Sequence, residues 1–265
     1  MNDIFVYPLQ NSKEYKDIIN CINNNKGSLL INGLLAVQKP HIAYSMYRDL
    51  NRQTIFITNS DLEAKKVYDD LSFYMKDKVE YIGFQDILFY HLDAKDRSEE
   101  AKRLKVLLKL AKGENIILVT SIEAVMRKYI PKEILLENIY TYKIGDVINL
   151  EKLSETLVNL GYERVSKIEG FGQFSIRGGI VDIFSLEYNN PIRMELFDDE
   201  IDSIRTFDVF SQKSIEKINK FSITPSREFI YPENVEEAVD KIKKDTDKNT
   251  NEEVFLNIDN INSKT

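Results

Sequence analysis

A glycine and a lysine near the start of the chain stand at the spacing of a phosphate-binding loop. Such a loop reads G-x-x-x-x-G-K-[ST], where backbone N–H groups hold the phosphates and the hydroxyl binds Mg²⁺. Residues 33–40 read GLLAVQKP, so Gly33 and Lys39 match. Gln38 replaces the second glycine, and Pro40 offers neither a hydroxyl nor an N–H group. The segment is either a nucleotide site that has been lost or a loop that never bound one, and both interpretations predict no ATP hydrolysis.

A second group of residues combines arginines with an aromatic ring on one strand face. In residues 192–197, IRMELF, apolar side chains occupy alternate positions, which predicts a strand with one face in the core. The opposite face then carries Arg193, Glu195 and Phe197, and we expect these side chains to lie in solvent. Arg177 takes the same polar face in the preceding segment, 174–177. Arginine and an aromatic ring on a rigid sheet are typical of a protein–protein hot spot, although a solvated face with ordinary ion pairs explains the alternation equally well.

The acidic residues that follow this strand favour a turn over a metal site. Asp198, Asp199, Glu200 and Asp202 lack the ligand spacing of a calcium loop, and Asp is also a common turn residue. Cys21 is the only cysteine, which excludes an internal disulfide and a cysteine-rich zinc site. We therefore expect no metal.

Strands and helices alternate through the first half of the chain. This order requires crossover connections, so it predicts a parallel sheet covered by helices on both faces, in a three-layer α/β fold. The predicted strands are 28–32, 54–58, 79–82 and 115–120, and the main predicted helices are 12–25, 41–50, 62–75 and 98–112.

The pattern changes near residue 140. One helix, 150–160, is followed by short strands separated by glycine, Asn-Pro and Asp-Asp turns, which predicts a small antiparallel α+β domain over 142–226. The predicted strands are 162–168, 174–184, 192–197, 201–207 and 214–223. From residue 227 the chain becomes helical and then polar, and 254–258 is typical of one more buried strand. We expect the chain to be part of a longer protein.

Composition favours a protein partner over nucleic acid. The formal net charge is −7, whereas non-specific affinity for phosphates depends on an excess of contacting Lys and Arg. The hydrophobic fraction of 43 % is enough to form a core. With a lone cysteine, no secretory leader and no apolar run of about 18 residues, we expect a cytoplasmic protein without a membrane partner.

Residues 172–218 resemble the signature shared by the excision-repair protein UvrB and the transcription-repair coupling factors (Mfd). The segment reads GQFSIRGGIVDIFS, then NPIRMELFDDEIDSIRTFDVFSQKSIEKI after a short interruption. The run FDVFSQKS at 207–214 is more similar to the coupling factors, and the altered loop at 33–40 agrees, because UvrB retains a working P-loop. The resemblance covers nearly the whole chain, weakly over 1–141 and strongly over 172–218.

The resemblance implies a split architecture and a set of contact residues. A degenerate P-loop, helicase-like α/β domain would be divided into 1–141 and 227–265, and a UvrA-binding α+β domain would be inserted at 142–226. In the family, UvrA is contacted by residues that match Arg177, Arg193 and Phe197, and we expect Glu195 and Arg205 to be their neighbours.

The resemblance also implies which activities lie elsewhere. Full-length members bind RNA polymerase, move along double-stranded DNA by hydrolysing ATP with Mg²⁺, and mask the UvrA surface with a C-terminal domain. We expect none of these parts in 265 residues, so this chain should be a non-catalytic module without a cofactor that binds UvrA constitutively. Two alternatives remain: a UvrB-type fragment that binds damaged DNA, and a P-loop domain in which Lys39 still holds phosphate.

Overall fold

A small parallel sheet organises the first part of the molecule. The computed structural model describes residues 4–24, 27–84 and 97–230, and it divides into one unit that ends at Ile139 and another that begins at Tyr140. The strands of the first unit are β1 (Thr54–Thr58), β2 (Val79–Ile82) and β3 (Ile117–Ser121), which pair in parallel in the order β1-β3-β2. Its helices are α1 (Tyr7–Gln10), α2 (Lys13–Asn23), α3 (Gln38–Leu50), α4 (Asp61–Tyr74), α5 (Arg97–Ala111), α6 (Ile122–Val125) and α7 (Lys132–Glu137).

Helices cover the two faces of this sheet unequally. Ile117 and Val119 pack into a cluster that includes Leu71 of α4, whereas Leu118, between them in sequence, packs into a second cluster. Helices pack on both faces, as expected, but cover is incomplete at β1, where Ile55 and Ile57 are exposed among the described residues. On that side α5 packs against β2, and α6 packs against β3 and β1.

The apolar run 28–32 is not a strand, contrary to the prediction. It has no ladder partner among the described residues, and Leu29 and Leu30 are exposed. The other predicted elements of the first half are confirmed, with ends shifted by a few residues. Serine side chains cap α2, α4 and α6: Ser12 accepts from the backbone N–H of the third helical residue, and Ser60 and Ser121 do the same.

The second unit is an antiparallel α+β fold, as predicted for this region. A six-stranded sheet has the order β10-β9-β8-β7-β6-β5, with every pair antiparallel except β5 and β6, and β4 pairs with β11. Its elements are β4 (Tyr140–Lys143), α8 (Leu150–Asn159), β5 (Glu163–Arg164), β6 (Gln173–Arg177), β7 (Ile180–Ile183), β8 (Ile192–Phe197), β9 (Glu200–Phe207), β10 (Ser214–Lys217) and β11 (Lys220–Ile223).

Helix α8 covers one face of the six-stranded sheet. Leu153 and Leu157 of α8 are buried in one cluster with Phe174, Val181 and Met194 of the strands. The alternate side chains of the same strands therefore point to the other side, which we call the outer face. Three predicted strands differ from the structure: 162–168 shortens to β5, 174–184 divides into β6 and β7, and 214–223 divides into β10 and β11.

Some predictions fall on residues outside the described ranges. They concern the return segment from residue 231 onward, with its strand at 254–258. Among the helices that the structure describes, none combines the length and apolar character needed to cross a membrane.

Candidate protein-binding surface

Antiparallel register aligns the charged residues of the outer face. Asp182 of β7 lies opposite Arg193 of β8, which in turn lies opposite Arg205 of β9. One pleat further along, Glu195 lies opposite Ser203. Side chains directly opposite one another in such a pair are about 5 Å apart at Cβ, so strand pairing alone sets two carboxylates among the arginines.

Asp182 is the centre of this network. Its side chain is only 2 % exposed, and burial of a carboxylate is costly unless it is paired and hydrogen-bonded. Arg193 satisfies that need by donating from Nε to Oδ1 at 2.7 Å and from Nη2 to Oδ2 at 2.8 Å. Arg177 adds a third donor, with its Nη2 2.7 Å from Oδ2. Both carboxylate oxygens are therefore held by charged donors.

Arg193 is mostly buried, which corrects the expectation that it lies in solvent. Its side chain is 13 % exposed, its guanidinium carbon lies 4.2 Å from the ring centre of Phe207, and its Nη2 also donates to Oε1 of Gln212 at 3.0 Å. The hydrogen bonds to Asp182 raise the pKa of Arg193 above its ordinary value. These partners of Arg193 belong to its own sheet and to the turn after β9, so its bonds join neighbouring parts of the outer face.

Glu195 neutralises the second arginine. Two charge-assisted bonds join its carboxylate to the guanidinium of Arg205, one of them from Nη1 to Oε2 at 2.9 Å, and Ser203 Oγ donates to the same Oε2 at 2.9 Å. The hydrogen bonds from Arg205 hold the pKa of Glu195 below its ordinary value. Arg193 and Arg205 can therefore lie directly opposite each other, because each has its own carboxylate.

Phe197 is the apolar side chain left in solvent at the end of β8. It is 80 % exposed, as its place in the alternation predicts. It precedes a two-residue turn in which Asp198 adopts a left-handed backbone (φ +59°) and returns the chain at Glu200. The neighbouring turn lies close by: the backbone N–H of Leu196 donates to the Gly179 carbonyl at 2.8 Å, and a Cβ on Gly179 would lie 3.0 Å from the Leu196 oxygen. The backbone under Phe197 is thus fixed by two turns packed together.

Arg177 carries a positive charge that the two carboxylates of the outer face do not fully neutralise. Three guanidinium groups face two carboxylates here, and Arg193 already bonds both oxygens of Asp182. The side chain of Arg177 is 50 % exposed. Of the expected contact residues, Arg177 and Phe197 face solvent, whereas Arg193, Glu195 and Arg205 are occupied by bonds within the sheet.

Sequence reasoning missed three residues of the outer face. Asp182 and Gln212 complete the hydrogen bonding of Arg193, and Phe207 lies under its guanidinium. Asp182 could have been found, because a lone carboxylate between the apolar Val181 and Ile183 has to meet a cation. The other two could not, since their approach to Arg193 depends on strand register and on the path of the turn after β9.

Three backbone N–H groups of the loop at 33–40 are bonded within the loop. The N–H of Leu35 donates to the side-chain Oε1 of Gln38 at 2.9 Å, and the N–H of Gln38 donates to the Leu35 carbonyl at 2.9 Å. The N–H of Lys39 donates to the Ala36 carbonyl at 3.3 Å. A phosphate would need such N–H groups directed toward it, so these three are not available to one.

The cavity beside this loop is lined mainly by apolar groups. It measures about 450 Å³, with Gly33 and Lys39 on its wall, whereas Pro40 is buried in the first turn of α3. Most of the other lining side chains are apolar: Ile31, Leu34, Ile42, Ala43, Met46, Leu50 and Phe56. Within the residues that the structure describes, no group of three or more His, Cys, Asp or Glu side chains is placed to hold a metal ion.

Comparison with known proteins places the outer face in a known domain family. Residues 141–229, which include every outer-face residue described above, match the family model of the UvrB interaction domain. The chain is also similar to proteins named transcription-repair-coupling factor. One from Bacillus subtilis (strain 168) is 33 % identical over 236 residues, which cover 88 % of this chain and 20 % of that protein.

Two staphylococcal relatives give the same result. The protein of that name from Staphylococcus epidermidis is 32 % identical over 209 residues, covering 78 % of this chain and 18 % of the relative. The one from Staphylococcus aureus (strain Mu50) is 33 % identical over 211 residues, covering 79 % and 18 %. This chain thus spans about one fifth of the curated relatives it matches. It is a UvrB-like module of the transcription-repair coupling factor family and carries that family's UvrB interaction domain.

Proposed function

We propose that this chain is a docking module through which a transcription-repair coupling factor recruits UvrA in transcription-coupled nucleotide excision repair. The observation that carries the proposal is Phe197, an 80 % exposed ring held on a rigid sheet within the matched domain. An aromatic side chain fixed in this way loses little conformational entropy when a partner covers it, and such side chains dominate protein–protein binding energies.

The outer face also defines the chemistry of the complementary surface. Phe197 requires an apolar pocket, and the half-exposed guanidinium of Arg177 favours a carboxylate on the partner. Arg193, Glu195 and Arg205 make their bonds within the sheet, so we assign them to fixing the strands that present the other two. Arg177 should contribute mainly to association rate and salt dependence, and Phe197 to the lifetime of the complex.

Titration of the full chain against purified UvrA by calorimetry tests the proposal. We expect saturable binding that weakens about 30-fold or more in Phe197→Ala, the effect of losing one hot-spot residue. The matched control is Val158→Ala, because Val158 is an exposed apolar residue of α8, on the opposite side of the sheet. Equal affinity of Phe197→Ala and the parent chain would refute the proposal.

We further propose that the module does not use ATP and that residues 33–40 are a degenerate phosphate loop. The internal bonding of the Leu35, Gln38 and Lys39 N–H groups supports this, as does Pro40 at the position of the metal-binding hydroxyl. Calorimetry with Mg-ATP should show no saturable heat at ligand concentrations up to about 1 mM, where binding weaker than about −4 kcal/mol is not detected. Saturable binding that is lost in Lys39→Ala would instead support a nucleotide-binding domain.

We assign the remaining activities of a coupling factor to the other four fifths of such a protein. These are binding of RNA polymerase, ATP-driven movement on double-stranded DNA and a C-terminal domain that masks the UvrA surface. We propose that the module binds UvrA whenever its outer face is uncovered. Its net charge of −7 disfavours the alternative of a damaged-DNA-binding fragment. Specific binding of the chain to damaged duplex DNA in an anisotropy titration would favour that alternative.

A further inference from the structure

A second exposed aromatic ring lies in the turn after β9, at the end of that strand farther from Phe197. Phe210 is 90 % exposed, and it stands in the six-residue turn 208–213 that joins β9 to β10. An isolated exposed aromatic residue is common on protein surfaces. Phe210 differs because its turn is tied to the network that supports the proposed UvrA contact.

The turn that carries Phe210 is closed by side-chain and backbone bonds. Asp208 Oδ1 accepts from the N–H and the hydroxyl of Ser211, both at 2.7 Å, and the N–H of Asp208 donates to the Lys213 carbonyl at 2.9 Å. Gln212 has a left-handed backbone (φ +59°), and its Nε2 donates to the Val209 carbonyl at 2.7 Å. The backbone on both sides of Phe210 is therefore held in one conformation.

Gln212 connects this turn to the centre of the outer face. While its Nε2 closes the turn, its Oε1 accepts from Nη2 of Arg193 at 3.0 Å. Arg193 in turn holds Asp182 and lies over Phe207, the last residue of β9. One continuous set of bonds therefore supports the strands that end at Phe197 and the turn that presents Phe210.

We propose that Phe210 is a second anchor of the docking surface and enters an apolar pocket on the same UvrA molecule that receives Phe197. The inference rests on the proposed function. Glu200, which lies opposite Phe197, and Phe207 are seven steps apart along β9, a span of about 23 Å. A standard interface buries about 800 Å² on each partner, a patch about 30 Å across. Both rings fit within one such interface, so a single partner can cover them together.

Calorimetric titration of the full chain with purified UvrA tests the inference through Phe210→Ala. We expect binding to weaken about 10-fold or more, with an unchanged circular dichroism spectrum because the ring makes almost no contact in the free chain. Gln212→Ala should weaken binding less, and it should have little further effect in the background of Phe210→Ala, because Gln212 acts by positioning the turn. Val158→Ala should match the parent chain.

The outcomes separate this inference from the proposed function. If Phe197→Ala abolishes binding and Phe210→Ala changes it by less than about twofold, the second anchor is refuted while the docking module stands. If the parent chain does not bind UvrA, both fail. Sedimentation of the chain alone gives the other refuting result: a dimer that Phe210→Ala converts to a monomer would assign the ring to self-association.

Discussion

Replacement of Arg193 by alanine should destabilise the second unit more than an exposed ion pair would. The substitution removes both bonds from Arg193 to Asp182, leaves a carboxylate that is 2 % exposed with only the bond from Arg177, and uncovers the ring of Phe207. Loss of one partner from a buried pair typically costs about 3–5 kcal/mol. Because Arg177 still holds one oxygen, we expect the lower end, about 3 kcal/mol.

Urea denaturation of the full chain measures this loss. With a slope of about 2 kcal/mol per molar urea, the midpoint of the affected transition should fall by about 1.5 M. Hydrogen exchange read by mass spectrometry should show faster exchange in β7 and β8, which assigns the transition to this sheet. A shift equivalent to less than about 1 kcal/mol would refute the reasoning, because that is the value of an exposed pair.

A paired substitution distinguishes an uncompensated charge from a lost contact. In Asp182→Leu with Arg193→Met, apolar groups of similar size replace both ions, so stability should recover to within about 1 kcal/mol of the parent chain. If this double variant folds and still binds UvrA within several-fold, Arg193 is a positioning residue. If it folds as stably as the parent and does not bind, Arg193 contacts UvrA directly and the assignment made here is wrong.

Three further outcomes follow from the described contacts. The bonds from Arg205 lower the pKa of Glu195, so this pair stabilises the fold fully above the ordinary glutamate pKa of 4.5 and less as the pH falls through the lowered value. Arg205→Gln should therefore flatten the acid side of the stability profile, by less than about 1 kcal/mol because Glu195 is about one third exposed. Burial raises the pKa of Tyr162, so the neutral phenol contributes its full stability below pH 10, the ordinary tyrosine pKa, and this contribution is lost as the pH rises further. Near-ultraviolet titration should therefore find a tyrosine that ionises only as the chain unfolds. Gly179→Ala places a Cβ 3.0 Å from the carbonyl oxygen of Leu196 and should cost about 1 kcal/mol in urea denaturation, and an unchanged midpoint would contradict that close approach.

Alternation was enough to predict the strand that carries the proposed site. The predicted strand 192–197 has the same bounds as β8, and Phe197 lies on the polar face where the pattern puts it. A half-buried antiparallel strand has a regular period of two, which is why its pattern is readable. The burial of Arg193 could not be predicted in this way, because alternation shows on which face of the strand a residue lies and not which side chains cover that face.

Strand pairing accounts for the predictions that failed. The run 28–32 has the composition of a buried strand, yet it pairs with no described strand and Leu30 is exposed. A short apolar run indicates that a segment tends to be buried. It becomes a buried strand only where a neighbouring strand pairs with it, and the local sequence does not specify that strand. The register that brings Asp182 to Arg193 is set by the connection between β7 and β8, and alternation along a single strand does not predict it.

Photo-crosslinking from position 197 tests the central claim most directly. With Phe197 replaced by p-benzoyl-phenylalanine in the full chain, irradiation in the presence of purified UvrA should give a covalent adduct of the two proteins. The same amino acid at Val158, on the covered side of the sheet, should give none. A crosslink from position 158 without one from position 197 would contradict the account, because UvrA would then bind a surface other than the outer face.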